Sequence, residues 1–182
     1  MTKKISLIPL LTLALIFTSC GMGSGNNSAT HDEGVVINGI RWATHNVGRT
    51  PGTFVENHED IGGHFVFNGA LNACPQGWRL PTQRELQSLV DAGSEWTTKN
   101  GVNGRLFGSG SNQVFLPAAG LRAPPGMFSV VGEMGYYWSS LASGVFGSYL
   151  GFSSIDIGVD LVSPGIGFSV RCVAKRKSWF RR

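Results

Sequence analysis

The sequence is poor in the residue types that most often ligate metal ions. It contains 3 Cys and 4 His among 182 residues, and only 14% of its residues are charged. The histidines show no H-x-x-x-H or Cys/His spacing, so we expect loop or surface positions for them and no zinc site. The acidic loop residues Glu56, Glu59 and Asp60 do not form the D-x-D-x-D run that calcium-binding loops use. The sequence therefore predicts no metal ion and no cofactor. The histidines are His31, His45, His58 and His64.

Sequence patterns of catalytic sites are also missing. Glycine-rich pieces such as residues 108–110 lack the lysine and the strand–helix setting of a phosphate-binding loop. Ser139 and Ser140 have no evident base partner, so nothing supports nucleophilic catalysis. These absences predict a protein that is not an enzyme.

Positive charge is concentrated near the chain ends. Residues 20–174 contain 8 Lys and Arg against 11 Asp and Glu, whereas residues 175–182 alone contain five Lys and Arg. The net charge of +4 therefore gives no warrant for nucleic-acid binding by the folded part. The basic tail, residues 175–182, also contains Trp179 and Phe180. That composition suits contact with anionic lipid, and a frayed end is an equally good interpretation.

The first nineteen residues have the composition of an export signal. A basic start precedes an apolar run over residues 5–17, which is too short to span a bilayer comfortably. The run ends with Thr18 and Ser19 directly before Cys20. This arrangement resembles the bacterial lipoprotein box, which implies a signal peptide over residues 1–19 and acylation of Cys20 with palmitate-type chains. The alternative is an ordinary cleaved signal with an incidental cysteine.

A flexible tether is expected after the lipid anchor. Residues 20–34 are small and polar, with almost nothing to bury. In lipoproteins, Asp directly after the acylated cysteine commonly retains the protein in the inner membrane, and Gly21 stands at that position here. We therefore expect a cell-envelope protein held in the outer membrane through Cys20. The sequence leaves open whether it faces the periplasm or the surface.

One helix is clearly indicated by its capping residues. Thr82 and Glu85 have the T-x-x-E spacing of a capping box, in which each side chain bonds the backbone N–H of the other. Leu86 and Leu89 then repeat at helical spacing, so one face is apolar and must pack against something. Gly93 is a natural stop. The pattern predicts a helix at about 82–92.

Short β-prone runs account for much of residues 35–174, which we expect to form one domain. Asn38-Gly39 between two such runs is typical of a β-hairpin. The 26 glycines indicate many turns. The last run, residues 167–173, alternates so that Cys172 points inward. Further strands are predicted over residues 64–67, 105–107, 113–120, 135–140, 149–153 and 155–161.

Five sequence motifs stand in a specific order along residues 35–174. They are VINGIRWAT (36–44), CPQGWRLPT (74–82), FLPAAGLR (115–122), YWSS (137–140) and GFSVRCV (167–173). In this order they resemble the Fibrobacter succinogenes major paralogous domain family, whose members are typically secreted or lipid-anchored proteins of the Bacteroidetes–Fibrobacteres group. The resemblance implies an α+β, C-type-lectin-like fold akin to the formylglycine-generating enzyme. In that fold one main helix packs on small, twisted antiparallel sheets with long loops. It implies no established molecular activity.

Cys74 and Cys172 are the two cysteines left after lipidation of Cys20. In an exported protein such a pair is normally a disulfide, and here it would resemble the long-range bridge of C-type-lectin-like domains. The alternative is a copper-binding or redox dithiol, as in the oxygen-activating formylglycine-generating enzymes. Those enzymes need a cysteine pair near the substrate groove, and this chain has no second pair.

Ligand binding is expected in loops, because this fold places ligands on loops of a rigid scaffold. The loops over residues 121–133 and 141–148 are the candidates. The Glu-Pro-Asn and Trp-Asn-Asp signatures of calcium-dependent sugar-binding lectins are absent. Most of the tryptophans and tyrosines are expected in the core, although such rings also serve as sugar-stacking platforms. The candidate ligand-binding residues are Arg122, Pro125, Met127, Phe128 and Phe146.

Together these features predict a non-catalytic, outer-membrane-anchored lipoprotein whose domain binds a ligand or partner. The expected partners are the lipid bilayer, through acylated Cys20, and a glycan or an envelope protein. Two alternatives stay open: an enzyme of the formylglycine-generating type, and a purely structural component of the envelope or of an appendage.

Overall fold

Strands dominate residues 31–176, which are the residues that the structure, a computed structural model, describes. Strands account for 49% of the structure and helices for 9%. The two helices are short, α1 (Phe67–Ala70) and α2 (Gln83–Asp91). The expected α+β, C-type-lectin-like fold with one main helix packed on sheets is therefore wrong. The structure is mostly β, with several small antiparallel sheets and one disulfide.

Several predicted features fall outside the described residues. The signal peptide, Cys20 and most of the tether precede residue 31, and most of the basic tail follows residue 176. Among residues 31–176, neither helix has the length and apolar character needed to cross a membrane.

A hairpin at the amino end opens the first sheet. β1 (Val35–Ile37) pairs antiparallel with β2 (Ile40–Asn46). The two turn residues, Asn38 and Gly39, have φ angles of 49° and 77°. Positive φ at both positions is the geometry of a type I′ turn, which suits the twist of the flanking strands. The predicted Asn-Gly hairpin is confirmed.

The last strand lies in the middle of the same sheet. β12 (Arg171–Ala174) pairs with β2 on one side and with β3 (Trp78–Arg79) on the other. The resulting order is β1-β2-β12-β3. Cys172 is buried, as predicted, but Arg171 and Val173 on the opposite face are buried as well. A strand covered on both faces does not need the polar and apolar alternation of a half-exposed strand.

A disulfide joins this central strand to the segment before β3. The Sγ atoms of Cys74 and Cys172 are 2.06 Å apart, and the residues are 98 positions apart in sequence. The predicted disulfide is confirmed. Because it closes a long loop, the chain-entropy argument gives it a stabilising effect of about 4 kcal/mol.

The capping box on α2 is present as predicted. The Thr82 hydroxyl accepts from the Glu85 backbone N–H at 3.2 Å, and the Glu85 carboxylate accepts from the Thr82 N–H at 2.8 Å. Arg79 also donates two hydrogen bonds to the same carboxylate, at 2.7 and 2.6 Å. Leu86 and Leu89 are fully buried. The helix ends after nine residues, and Gly93, with a φ of 78°, turns the chain into β4 as predicted.

The region after α2, where the sequence predicts strands over residues 105–107 and 113–120, is a three-stranded meander. Its strands are β4 (Ser94–Lys99), β5 (Val102–Ser109) and β6 (Asn112–Pro117), paired antiparallel. Tight turns at Asn100-Gly101 and Gly110 connect them, and all three residues have positive φ. Glycine here marks hairpin turns between strands, and this region supplies much of the additional β structure.

A second meander follows a small hairpin. β7 (Leu121–Ala123) pairs with β8 (Met127–Ser129). The later strands, which pair antiparallel in the order β11-β10-β9, are β9 (Gly135–Ser143), β10 (Phe146–Phe152) and β11 (Ile157–Val162).

Two predictions about strands need correction. Residues 64–67 do not form a strand, because Phe65 makes only an isolated bridge to Phe168 and α1 begins at Phe67. The alternating face predicted over residues 155–161 is buried only in part. Ile157 and Val159 pack against the core, whereas Ile155 is 94% exposed.

The core has two adjoining clusters that fix the sheets relative to one another. One contains Trp42, Leu86 and Phe107, and the other contains Trp138, Phe168 and Cys172. Trp42 and Trp138 are fully buried, so most of the aromatic side chains serve as scaffold, as the sequence predicts.

Candidate functional site

Four of the five candidate ligand-binding residues lie on one hairpin. Arg122 is on β7, Pro125 is in the turn, and Met127 and Phe128 are on β8. Phe146, the fifth, begins β10 and does not line the cavities beside this hairpin. The structure therefore groups four of the predicted residues and places the fifth elsewhere.

Two adjoining cavities flank the side chain of Arg122, and we call them together the hairpin groove. Both cavities are lined by His64, Arg122 and Gly126, so they lie side by side. Their volumes are about 250 and 360 Å³. The remaining lining residues of the groove are Arg49, Ile61, Gly62, Gly63, Phe65, Val66, Ala123, Pro124, Pro125, Phe128, Gly165 and Gly167.

The hairpin is fixed to the loop that leads into β12. The backbone N–H of Arg122 donates to the Gly167 carbonyl at 2.9 Å, and the Gly167 N–H donates to the Arg122 carbonyl at 2.8 Å. A Cβ atom at Gly167 would lie 3.2 Å from the Arg122 Cβ, closer than most side-chain contacts. Glycine at this position therefore allows the close backbone approach that positions Arg122 over the groove.

His64 forms the wall opposite the hairpin. Its Nε2 donates to the Ala119 carbonyl at 2.9 Å, which assigns the proton to Nε2 because a carbonyl only accepts. Its ring meets the Phe128 ring edge to face, with centroids 5.0 Å apart. Burial lowers the pKa of His64 below its ordinary value of 6.5. The imidazole is therefore neutral at pH 7 and adds no charge to the groove.

The charge of the groove comes from Arg49 and Arg122. Within residues 31–176, neither guanidinium has a carboxylate partner or a side-chain hydrogen bond. A third cavity, of about 270 Å³, extends the groove along Arg49, Ile61 and Gly62 to Asp60. Asp60 is the one carboxylate among the lining residues of the three cavities. The lining is therefore net positive.

A buried acidic group lies where the described chain begins. The carboxylate of Asp32 accepts from the N–H groups of Gly34, Thr44 and His45, at 2.8, 2.8 and 2.9 Å. It also accepts from the Thr44 hydroxyl at 3.1 Å and from His45 Nδ1 at 2.9 Å. Burial by itself raises the pKa of Asp32, but the hydrogen bonds from His45 and Gly34 outweigh it and lower the pKa to about 2.

The Asp32 cluster contains two histidines but does not form a metal centre. The rings of His45 and His58 meet edge to face with centroids 4.1 Å apart, and burial lowers the pKa of His58. Across residues 31–176, no group of three or more His, Cys, Asp or Glu side chains could hold a metal ion. His45 is thus a partly buried residue bonded to Asp32, and His58 is an exposed residue that packs against the His45 ring.

Arg79 and Arg171, which also lie in the sequence motifs, are engaged within the fold. Arg79 forms an ion pair with Glu85, whose nearest oxygen lies 2.6 Å from Nη2. Arg171 is fully buried and donates to Asn46 Oδ1, the Ala43 carbonyl and the Phe115 carbonyl, at 2.9 to 3.1 Å. These two residues are structural. Arg122 differs from both because its guanidinium faces a cavity.

A further cavity, of about 280 Å³, is lined by Tyr136 and Tyr149 on the second meander. Asp156 and Asp160 also line it, so its charge is opposite to that of the hairpin groove.

Ser139 is buried, and its Oγ accepts from the Leu141 N–H at 3.1 Å.

Sequence reasoning missed His64, Arg49 and Gly167 as groove residues. They come from segments that are distant from Arg122 in sequence. Backbone pairing with Arg122 brings Gly167 to the groove, and the bridge between Phe65 and Phe168 brings His64 there. The one local signal is the clustering of glycines at 62–63 and at 165 and 167, which leaves the backbone open on both sides of the groove.

Comparisons with protein-family models, with curated proteins and with solved structures find no match to this chain.

Proposed function

We propose that this protein is a non-catalytic, outer-membrane-anchored lipoprotein of the cell envelope whose folded domain binds a ligand, with a glycan as the first candidate. The observation that carries the proposal is the hairpin groove. It brings an unpaired guanidinium, an exposed aromatic ring and a Pro-Pro-Gly turn together around two adjoining cavities. Binding sites typically combine apolar walls with a few convergent polar groups in this way.

The lipid anchor rests on the resemblance of residues 1–20 to lipoprotein signals. Cys20 would carry the acyl chains, and residues 21–34 would separate the domain from the bilayer. Metabolic labelling with an alkynyl palmitate is expected to label the intact chain and to leave Cys20→Ala unlabelled. Labelling of the variant would contradict the assignment. Density fractionation of the envelope then tests the outer-membrane location.

Membership of the Fibrobacter succinogenes major paralogous domain family is part of this proposal. It rests on the five ordered motifs, and the structure places two of them in contact, since β12 carries part of the last motif and pairs with β2 from the first. The arrangement of the motifs around one core supports a common origin without adding an activity.

The binding function is favoured over chemistry of the formylglycine-generating type. Such an enzyme needs a cysteine pair near its substrate groove, whereas Cys74 and Cys172 are bonded to each other, and Cys172 is fully buried. Neither cysteine lines the hairpin groove.

The experiment that tests the binding function is a screen of the chain from residue 21 onward against glycans and purified envelope components. A ligand of the groove is expected to bind the unmodified chain and to bind Phe128→Ala more weakly, because the exposed ring is part of the groove wall. Leu161→Ala, on β11 and also exposed, is a matched control. If no glycan or envelope component binds, the proposal is wrong.

A structural role in the envelope is the second candidate, and a different surface favours it. At the tip of the β9–β10 hairpin, Leu141, Val145 and Phe146 are exposed, and Val145 is 75% exposed. Exposed apolar clusters of this kind are typical of protein contact surfaces. Stoichiometric cross-linking to one envelope protein, lost in the Val145→Ser/Phe146→Ser variant, would favour this role over glycan binding.

A further inference from the structure

We infer that the ligand of the hairpin groove is an acidic saccharide, a sugar bearing a carboxylate that is bound by Arg122 with help from Arg49. This inference rests on the proposed glycan-binding function and deepens it by naming the chemical class of the ligand. It follows from the charge, the position and the surroundings of the two guanidinium groups.

The two groove arginines are set apart from the other arginines that serve the fold. Arg79 is paired with Glu85, and Arg171 has three oxygen acceptors in the core. Arg105 is likewise used internally, since it donates to the Ser153 carbonyl at 2.9 Å. Within residues 31–176, Arg49 and Arg122 have no such partner, although both line cavities. Their hydrogen-bonding capacity is directed to solvent or to a ligand.

A guanidinium of this kind selects a carboxylate by geometry as well as by charge. Its planar fork of N–H groups matches the two oxygens of a carboxylate, and such paired, charge-assisted hydrogen bonds are stronger than neutral ones. Arg122 lines both cavities of the groove, so a carboxylate bound in either of them lies next to its side chain. Arg49 lines the second cavity from the other side.

Because Gly126 has no side chain, the Arg122 side chain can lie directly beside it. A Cβ atom at Gly126 would lie 3.2 Å from Arg122 Nη2, so the guanidinium rests directly on the turn backbone. The turn itself contains Pro124 and Pro125, which restrict its backbone. Arg122 is therefore placed by its surroundings before a ligand arrives, and pre-organisation of this kind reduces the entropic cost of binding.

The remaining walls suit a sugar ring better than a peptide. Phe128 is 56% exposed, and the His64 ring stands perpendicular to it, so His64 can cover at most one face of the phenyl ring. The other face is available to the apolar C–H face of a pyranose. Five of the fifteen lining residues are glycines, so parts of the groove wall have no side chain that would block a flat sugar ring. A peptide ligand would instead need deep apolar pockets for anchoring side chains.

The test compares each acidic sugar with its own uncharged counterpart. Oligogalacturonate, oligomannuronate and sialyllactose are titrated into the chain from residue 21 onward by calorimetry, and each is paired with its methyl ester. The ester keeps the sugar ring and removes the charge. We expect at least one acid to bind, and its ester to bind about tenfold or more weakly, which corresponds to ~1.4 kcal/mol.

Variants then assign the binding to the groove. Arg122→Gln is expected to weaken binding of the acid about tenfold or more while leaving the weak binding of the ester unchanged, and Arg122→Lys should restore part of the affinity because it keeps the charge but not the fork. Arg49→Gln should have a smaller effect in the same direction. Arg84→Gln, on the exposed face of α2, is the matched control and should bind as the unmodified chain does. Thermal unfolding of each variant confirms that the fold is intact.

Each outcome separates the two proposals. If neutral glycans bind as tightly as acidic ones, and Arg122→Gln has no effect, the acidic-saccharide inference is overturned while the glycan-binding function stands. If acidic peptides such as oligoglutamate bind the groove and no saccharide does, both are overturned. The result that supports both is acid-dependent saccharide binding that is lost in Arg122→Gln and retained in Arg84→Gln.

Discussion

At the scale of single residues, Arg171 shows how the sheet and the meander are joined. Its guanidinium is fully buried, and it reaches Ala43 on β2 and Phe115 on β6. Burial lowers its pKa to about 10, which still leaves it charged at neutral pH. Tyr137 is buried beside it, and burial raises the pKa of this phenol to about 12. Both side chains act as hydrogen-bonding links inside the core.

The first prediction concerns this link. Arg171→Met keeps much of the side-chain volume but leaves Asn46 and two backbone carbonyls without a donor. Leaving these buried acceptors without a donor costs more free energy than the protein regains by no longer burying a charged guanidinium. We therefore expect the free energy of unfolding to fall by about 2 kcal/mol. Urea denaturation measures it. Arg84→Met is the control, and an equal stability of the two variants would contradict the structural role of Arg171.

The second prediction concerns pH and Asp32. Its pKa falls from 3.8 in the unfolded chain to about 2 in the folded protein, so the folded state favours the ionised carboxylate. A depressed folded pKa stabilises the protein above pH 3.8, and this contribution is lost as the pH falls toward 2. Asp32→Asn should therefore cost about 1 to 2 kcal/mol at pH 7, after allowance for solvent screening.

The measurement is thermal unfolding of both proteins from pH 7 down to pH 2. The two melting temperatures should converge at the acidic end, because both carry an uncharged group there. A constant difference across this range would mean that the charge of Asp32 is not what stabilises the folded state. Glu33→Gln, an exposed neighbour, serves as the control for the general loss of negative charge.

At the scale of elements, local signals predicted local structure well. The capping box at Thr82 and Glu85 and the Asn38-Gly39 turn depend on residues within three positions of one another, so the sequence contains all the information. In the meander of β4 to β6, β6 and the middle of β5 were predicted as strands. β4 and the full length of β5 were missed because they are rich in polar residues and glycine and show no clear alternation. Their pairing depends on turns and on packing against β1 and β2, which no local pattern shows.

The third prediction tests the helix start. Thr82→Ala removes the side chain that accepts from the Glu85 N–H. We expect the free energy of unfolding to fall by about 1 kcal/mol, the usual cost of losing an N-terminal cap. Denaturation by urea, with Arg84→Ala as an exposed control on the same helix, measures the difference. A change no larger than that of the control would show that Glu85 and Arg79 hold the helix start without the hydroxyl.

The fourth prediction tests the hairpin. Gly126 has a φ of 132°, and an added Cβ would push against Arg122 Nη2. Gly126→Ala should therefore move the guanidinium and weaken binding of an acidic saccharide several-fold. Gly132→Ala is the matched control, because its φ is 82° but no heavy atom of the rest of the chain lies within 4 Å of the added Cβ. Equal binding by both variants would show that the turn at Gly126 does not position Arg122 for binding.

At the scale of the whole molecule, the disulfide ties together the segment before β3 and the strand at the centre of the sheet. The fifth prediction is that reduction lowers the free energy of unfolding by about 4 kcal/mol, because the unfolded chain regains the freedom of a 98-residue loop. Urea titrations with and without dithiothreitol measure it. The Cys74→Ala/Cys172→Ala variant should be insensitive to the reductant. An unchanged midpoint in the unmodified chain would contradict the prediction.

The candidate site could be predicted only in part from the sequence. Arg122, Pro125 and Phe128 were identified because they share one turn-rich loop. The opposite wall could not be identified, because His64 and Gly167 reach the groove through a bridge between Phe65 and Phe168 and through the pairing of Arg122 with Gly167. These are contacts between residues 45 to 103 positions apart, and they depend on the completed core rather than on any local pattern.

The position of Asp32 has a mechanical consequence. Asp32 lies three residues before β1, and its carboxylate is bonded to Thr44 and His45 near the end of β2. A pull on the amino-terminal side of the chain therefore loads these hydrogen bonds before it reaches β1. Five hydrogen bonds to one carboxylate share that load. The folded domain is thus protected at the point where a leash to a surface would transmit force.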